Sequence, residues 1–401
     1  MRETILLTGL GTIGAWGPGS DRLAAALESG ESLAAEVDRS AGYHRSGEAA
    51  GRACLVPPGQ LGGWLSPGES RRMSPPSKLV LAASRMALRC AGLPGTGEEG
   101  TAVVIATAFG PSTNTEALLK QILDEGPEAA SPTLFTESVA NAPAAQIAIA
   151  CHATGPSLTV CQREAGPLIA LGRAAGEVAA GRAPRALAGA VDEMTPLLHA
   201  LLDRFGALTR EAVARPFDRR RCGFLAGEGA TVVMLETATG LARRGGRALA
   251  RLLAWGSAFD PTAPPTSWGT GVEALARGLE KTLSRAGLGP GDIDLIVSGA
   301  SGSREGDRLE AGVLRAVWGS VPLPPVAAPK AVTGEYGGGL LGAAVLAAAG
   351  SPLGPTPGFA EPDPELGITP HDGSPLPPPS TVLVTSLAAG GAAVWALLGR
   401  P

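Results

Sequence analysis

Apolar and polar positions alternate with two different periods along most of the 401-residue chain. Short apolar runs bounded by glycine and proline predict buried strands, and apolar residues three or four positions apart predict helices that pack on them. We expect strands at Thr4–Leu7, Thr101–Thr107, Ala186–Val191, Thr231–Leu235, Ala248–Leu253 and Ile293–Val297, and helices at Asp21–Ser29, Ser77–Gly92, Thr113–Asp124, Gly271–Ala286 and Leu309–Val317. The second half of the chain thus repeats the strand and helix order of the first, which predicts an α/β protein.

The segment Gly155–Leu171 has the pattern of a strand that passes through a tight polar turn into a helix. Leu158–Val160 is apolar and reads as the end of a buried strand, and a helical run begins at Leu168. Such an elbow presents one side chain at a helix N-terminus, where backbone N–H groups and the helix dipole favour negative charge. Many enzymes place a nucleophilic Cys or Ser there.

Composition excludes several classes of function. The formal charge is −4 with no basic patch, which argues against nucleic-acid binding. The five cysteines have neither paired nor metal-like spacing, so we expect reduced thiols in a cytoplasmic protein. No signal peptide and no run of 18 apolar residues is visible, so no membrane span is expected.

The glycine-rich segment Gly9–Gly14 follows the first expected strand, and we interpret it as a turn. Its spaced glycines fit a dinucleotide-binding loop, which also requires an acidic residue after a second strand about 20 residues further on. The chain instead places the helix Asp21–Ser29 there. Nucleotide binding is therefore disfavoured.

Several motifs follow one another in a fixed order, at residues 7–14, 131–150, 155–171, 215–218 and 223–230. Together they resemble those of the β-ketoacyl synthases, the condensing enzymes of the thiolase fold. The resemblance implies a thiolase-like α/β fold, with two similar halves in a five-layer αβαβα arrangement. It also implies an N-terminal half at residues 1–246 and a C-terminal half at residues 247–401.

Decarboxylative condensation needs a thiolate that carries the acyl chain and two imidazoles that stabilise the enolate. Registering the family motifs on this chain places Glu164 at the nucleophile position and Gly299 and Glu335 at the two histidine positions. None of the four histidines falls in a motif; they are His44, His152, His199 and His371. The resemblance therefore implies that the chain has no catalytic residues of its own and does not condense alone.

The residues that follow Glu164 look most like those of chain-length factors, the subunits of type II polyketide synthases that have lost the nucleophile. This resemblance implies a heterodimer with an active ketosynthase, an acyl carrier protein that delivers substrate to that partner, and no cofactor or metal in this chain. It also implies a tunnel that controls the chain length of an aromatic or polyene product. The tunnel residues are expected at Ser112, Thr115 and Leu119 on one helix face, and the tunnel is expected to narrow near Leu119 or Phe135. Interface residues are expected within 131–150, at Val139, Ala140, Ala145, Ile147 and Ile149.

Two other classes of function stay open. The chain could be a stand-alone malonyl decarboxylase or acyltransferase that uses Glu164 as a base or Cys161 as an offset nucleophile, or a scaffold without a tunnel. Structural roles compete with these chemical ones, because a free cysteine is commonly a small buried apolar residue and a carboxylate at a helix N-terminus needs no chemistry. In such roles Arg163 neutralises Glu164, and Lys330 pairs with Glu335 or with Glu164.

Overall fold

The computed structural model describes residues 3–45, 50–95 and 99–401, and none of the helices in these residues is long and apolar enough to cross a membrane. The strands are β1 Ile5–Gly14, β2 Gly17–Pro18, β3 Ala35–Glu36, β4 Arg52–Cys54, β5 Ala102–Ala106, β6 Ser157–Val160, β7 Arg185–Asp192, β8 Ala226–Gly227, β9 Gly229–Thr237, β10 Ala250–Phe259, β11 Leu295–Val297, β12 Val326–Ala327, β13 Thr381–Leu387 and β14 Ala392–Gly399. The helices are α1 Ser20–Ser29, α2 Pro67–Ser70, α3 Pro75–Cys90, α4 Ser112–Glu125, α5 Pro132–Ser138, α6 Ala142–Ala150, α7 Gly166–Ala179, α8 Pro196–Arg204, α9 Ala238–Arg244, α10 Val272–Arg285, α11 Arg304–Trp318, α12 Lys330–Thr333 and α13 Gly337–Ala348.

The main sheet consists of two halves with the same internal order. The first half runs β1-β9-β7-β5-β6, and the second runs β10-β14-β13-β11-β12. In each half the first two pairings are antiparallel and the last two are parallel. The halves join where β1 pairs with β10, from Ile5 opposite Leu252 to Leu7 opposite Ala250. The repeated strand order confirms that the chain contains two similar halves.

Helices cover both half-sheets and fill the space between them. Helices α7 and α13 occupy equivalent places in the two halves, contact each other, and pack on strands of both half-sheets. Helix α3 covers the outer face of the first half-sheet, and α10 covers that of the second, with α11 packed against α10. Apolar side chains between these layers are almost completely buried, as area removed from water is the main favourable term in folding. The result is the expected αβαβα layering.

The glycine-rich segment after the first expected strand is itself part of that strand. Strand β1 continues to Gly14 and pairs with β9 as far as Ile13 opposite Ala230. A Cβ on Gly9 or Gly11 would overlap a backbone carbonyl oxygen of α3, so these glycines allow the helix to approach the sheet closely. The predicted turn is therefore wrong, and no phosphate-binding loop forms at this position.

Strand β6 differs from the expected buried strand. It lies at the edge of the first half-sheet and pairs only with β5 among the described residues. Ser157 and Leu158 are exposed, and Leu158 keeps 43% of its surface accessible. The chain turns from this edge strand into α7, and this turn forms one wall of the candidate site. The other walls are the loop after β11 with the first turns of α11, the turn between α12 and α13, the end of β13, and Trp268 from the segment between β10 and α10.

Candidate functional site

The elbow between β6 and α7 directs Glu164 into the protein. A single 3-10 turn, Arg163–Ala165, joins the two elements, and Arg163 has a φ of 43°, in the left-handed region that non-glycine residues rarely adopt. The Ser386 hydroxyl, at the end of β13, donates a hydrogen bond of 2.6 Å to the carbonyl oxygen of Glu164. The elbow is thus held from the opposite half of the molecule.

The three positions expected from the family motifs line one small cavity. Glu164, Gly299 and Glu335 all contribute to its wall, although more than 130 residues separate the first two in sequence. The remaining lining residues are Trp268, Ala300, Ser301, Ser303, Gly306, Asp307, Glu310 and Leu387. The motif register therefore predicted residues that the fold brings together.

Lys330 pairs with Glu335, which decides between the two partners left open by the sequence. The Nζ atom lies 2.7 Å from Oε1 and 2.9 Å from Oε2 of Glu335, and the Lys330 side chain is completely buried. Glu164 has a buried Oε2 atom with no hydrogen-bond partner. Arg163 is exposed and donates a hydrogen bond of 3.4 Å to the Ala389 carbonyl oxygen, so its charge acts on Glu164 only weakly and lowers the pKa of that carboxyl group less than Lys330 does.

The electrostatics of the cavity favour a protonated Glu164. Burial and, to a lesser extent, the negative charge of Glu335 together raise the pKa of Glu164 to about 7, although the positive charge of Lys330 partly opposes the shift. Lys330 is thus one buried cation beside several carboxyl groups. A carboxyl group with a pKa of about 7, such as that of Glu164, is present in both its protonated and its ionised form near neutral pH.

Two further carboxylates hold the loop after β11, and the sequence interpretation did not assign them roles. Asp307 accepts backbone N–H groups of Phe217 at 2.9 Å and of Ser301 at 3.1 Å, and burial raises its pKa to about 7. Glu310 accepts the hydroxyl groups of Ser298 and Thr385. Both carboxylates lie in the first turns of α11, and their spacing of three residues on one helix face was the available signal.

No imidazole lines the cavity within the described part of the chain. His199 is buried on α8, where its Nδ1 lies 2.9 Å from Nε2 of His44 and its Nε2 lies 3.4 Å from the Arg52 carbonyl oxygen. His371 contacts the Leu353 carbonyl oxygen at 3.1 Å. These contacts give both histidines structural environments outside the candidate site.

Cys161 is exposed at the end of the edge strand, so the expectation of a buried residue is wrong. It is not part of the cavity wall, because the elbow turns between it and Glu164. Glu228, which lies between β8 and β9, accepts the backbone N–H groups of Val56 and Met194, each at 3.1 Å, and it does not line the cavity.

The expected tunnel residues lie on α4 and α5, away from the cavity wall. Ser112 and Thr115 are half-buried, and Thr115 donates hydrogen bonds to the carbonyl oxygens of Pro111 and Ser138. Leu119 and Phe135 keep 54% and 59% of their surfaces accessible. None of the four residues lines the cavity, and their role in a tunnel stays a prediction.

The expected interface residues divide into three groups. Val139 and Ile149 are exposed apolar side chains, and Ala140 and Ala145 are half-buried. Ile147 is completely buried in the core beneath α3, so its assignment to an interface is wrong. Helix α6 turns Ile147 inward and Ile149 outward, because residues two positions apart lie on different faces of a helix. The exposed apolar surface also includes residues that we did not predict, namely Phe109, Leu123 and Leu158.

Two family models match the chain in succession. The model for the N-terminal domain of β-ketoacyl synthases matches residues 2–240, and the model for their C-terminal domain matches residues 249–350. The chain belongs to the β-ketoacyl synthase family. The family resemblance read from the motifs is confirmed, whereas the division between residues 246 and 247 stays a prediction.

The relatives and solved structures that the chain resembles include polyketide proteins of this family. It is 30% identical to the putative polyketide beta-ketoacyl synthase 1 of Streptomyces halstedii, over 92% of this chain and 91% of the relative. It is also 30% identical to the actinorhodin polyketide putative beta-ketoacyl synthase 2 of Streptomyces coelicolor, over 81% and 82% of the two chains. The ishigamide ketosynthase/chain length factor superposes over the full length of both chains with a TM-score of 0.90 and 30% identity. The thiolase-like fold is thereby confirmed.

Proposed function

We propose that this chain is a non-condensing subunit of the chain-length-factor type. It pairs with an active ketosynthase in a type II polyketide synthase and helps to shape the tunnel that limits the length of the polyketide. An acyl carrier protein delivers substrate to the partner. The observation that carries this proposal is the composition of the cavity, in which carboxyl groups and a glycine stand at the three positions where condensing enzymes place Cys, His and His.

The side chains in the cavity are unsuited to condensation. A carboxyl group at position 164 cannot act as the thiolate that carries an acyl chain. Glu335 is paired with buried Lys330, and an ionised carboxylate accepts hydrogen bonds but donates none to an enolate oxygen. Gly299 contributes no side chain, and a Cβ there would lie 2.8 Å from the Thr385 carbonyl oxygen.

A large exposed apolar surface supports the proposed pairing. Edge strand β6 has one unpaired side among the described residues, and an unpaired strand edge is a template for pairing with another chain. Exposed apolar side chains also lie on α4, α5 and α6, of which α6 contacts β6, and exposed apolar surface of this kind marks interaction sites. An obligate subunit interface buries about 2,000 Å² or more in total.

The test is co-expression with a ketosynthase that retains Cys, His and His, followed by mass analysis of the products bound to the carrier protein. We expect full-length product only when both chains are present, and a heterodimer by size exclusion with light scattering. A long product of unchanged length from the ketosynthase alone would refute the role.

A matched pair of variants tests the surface. Ile149→Asp places a charge in the proposed interface, and we expect it to abolish the heterodimer because a buried unpaired charge is costly. Phe259→Asp introduces the same charge at a residue that is similarly exposed, 61% against 69%, on the distant strand β10. This control variant should assemble normally. If Ile149→Asp assembles as well as the control does, the surface around α6 is excluded as the interface.

A further inference from the structure

The segment Asp260–Gly271, which we call the strap, connects β10 to α10 and is wound around one buried carboxylate. Asp260 Oδ1 accepts hydrogen bonds from the backbone N–H and the hydroxyl group of Thr262, at 2.9 and 2.7 Å. Its Oδ2 accepts the backbone N–H of Gly271 at 2.9 Å. Asp260 itself is completely buried, so the two ends of the strap are fixed to each other.

The strap is also fixed to the tip of the β13–β14 hairpin. The backbone N–H of Asp260 donates to the Gly391 carbonyl oxygen, and that of Gly390 donates to the Ser267 carbonyl oxygen, both at 2.8 Å. The same tip is connected to the elbow through Arg163 and the Ala389 carbonyl oxygen. Elbow, hairpin tip and strap therefore interlock on one side of the cavity.

Trp268 extends from the strap into the cavity wall. Its indole lies against Gly306 in the first turn of α11, so closely that a Cβ on Gly306 would stand 2.7 Å from the ring atom Cζ2. The cavity beside it has a volume of about 10 Å³, roughly the space that one water molecule needs. Sites for small molecules and cofactors usually measure about 300–1,000 Å³. The space beside Glu164 is too small for an acyl group on a pantetheine arm.

We propose that the strap is a fixed closure of this cavity, in which the Trp268 indole keeps thioester-bound acyl groups away from position 164. The subunit then excludes acyl-pantetheine by packing as well as by the loss of catalytic side chains. The closure involves residues of this chain only, so its test does not depend on the proposed pairing or on any role in chain length.

A thiol introduced at position 164 reports on access to the cavity. The full-length Glu164→Cys variant is treated with iodoacetamide, and alkylation at each cysteine is followed in time by peptide mass spectrometry. Exposed Cys90 is the internal standard for an accessible thiol, and buried Cys54 and Cys151 report loss of the fold. We expect position 164 to react at least about tenfold more slowly than Cys90, because reaction requires local opening of the strap.

Two variants of the Glu164→Cys protein open the closure by different means. Trp268→Ala removes the indole, and Gly306→Ala forces it outward with a single methyl group at a helix position that otherwise favours alanine. In each we expect alkylation at position 164 to accelerate at least about tenfold while Cys54 and Cys151 stay unreactive.

The control is Trp64→Ala, which removes another partly buried indole that packs under Arg89 away from the cavity. It should leave the rate at position 164 unchanged. The inference is overturned if position 164 already reacts as fast as Cys90 in the single variant. It is also overturned if neither variant at the closure accelerates the reaction, or if Trp64→Ala accelerates it equally.

Discussion

Replacing Glu164 by glutamine should change the pH dependence of stability in a defined direction. Burial and the charge of Glu335 raise the pKa of Glu164 from 4.5 to about 7 in the folded protein. Between these two values the native state holds a proton that the unfolded chain has released. The free energy of unfolding therefore falls as pH rises through this window, because stability decreases with pH wherever the native state binds more protons.

The magnitude follows from the size of the shift. One pKa unit corresponds to about 1.4 kcal/mol, so the whole shift corresponds to about 3 kcal/mol. Glu164 retains some exposure even though its Oε2 is buried, and solvent weakens the effect. We therefore expect Glu164→Gln to stabilise the protein by about 2 kcal/mol more at pH 8 than at pH 5, since glutamine stays neutral at both values.

Urea unfolding of the two proteins at pH 5 and pH 8 measures this difference. Glu128→Gln is the matched control, because Glu128 is an exposed carboxylate in the turn after α4. The control should have the same free energy of unfolding as the parent protein at both pH values. The reasoning is refuted if Glu164→Gln and the parent protein differ in unfolding free energy by the same amount at pH 5 and at pH 8.

Three other outcomes are expected. Glu335→Ala should cost at most about 3–5 kcal/mol of unfolding free energy, because it removes the ion-pair partner of buried Lys330 and leaves only Glu164 to ionise in its place, while replacing both Lys330 and Glu335 by methionine should be near neutral; urea titration measures both changes. Thr115→Trp should shorten the carrier-bound product of the reconstituted synthase. Thr115→Val loses the hydroxyl contacts without adding bulk and should leave the product length unchanged. If mass spectrometry finds the same product length for both variants, Thr115 does not line the tunnel. Restoring Cys, His and His at the three motif positions should not restore condensation by the isolated chain, because a side chain at Gly299 meets the Thr385 carbonyl oxygen; release of carbon dioxide from malonyl carrier protein checks this.

Motif spacing predicted the two similar halves and the meeting of Glu164, Gly299 and Glu335, because these features depend on local patterns in a fixed order. It failed where distant contacts decide the conformation. Helix α13 was not predicted, and its first residues, Gly337–Gly339, are poor helix formers. The fold buries them, and a Cβ on Gly337 would overlap Pro167 of α7. Ile147 was misassigned for the same reason, since the face of a short apolar helix is set by what packs on it.

The charges in the cavity could not be assigned from sequence, because they depend on which groups burial places side by side. Lys330 is buried beside Glu335, and its charge also lowers the pKa values of Glu164 and Glu310 against the larger effect of burial. If all three carboxyl groups were ionised around one cation, two uncompensated negative charges would be buried. Burial raises the pKa values of Glu164 and Glu310, which favours their neutral forms and so reduces this cost. Replacing Glu335 by histidine alone would remove the close partner of Lys330 and favour ionisation of Glu164 in its place, so the substitutions at these positions depend on one another.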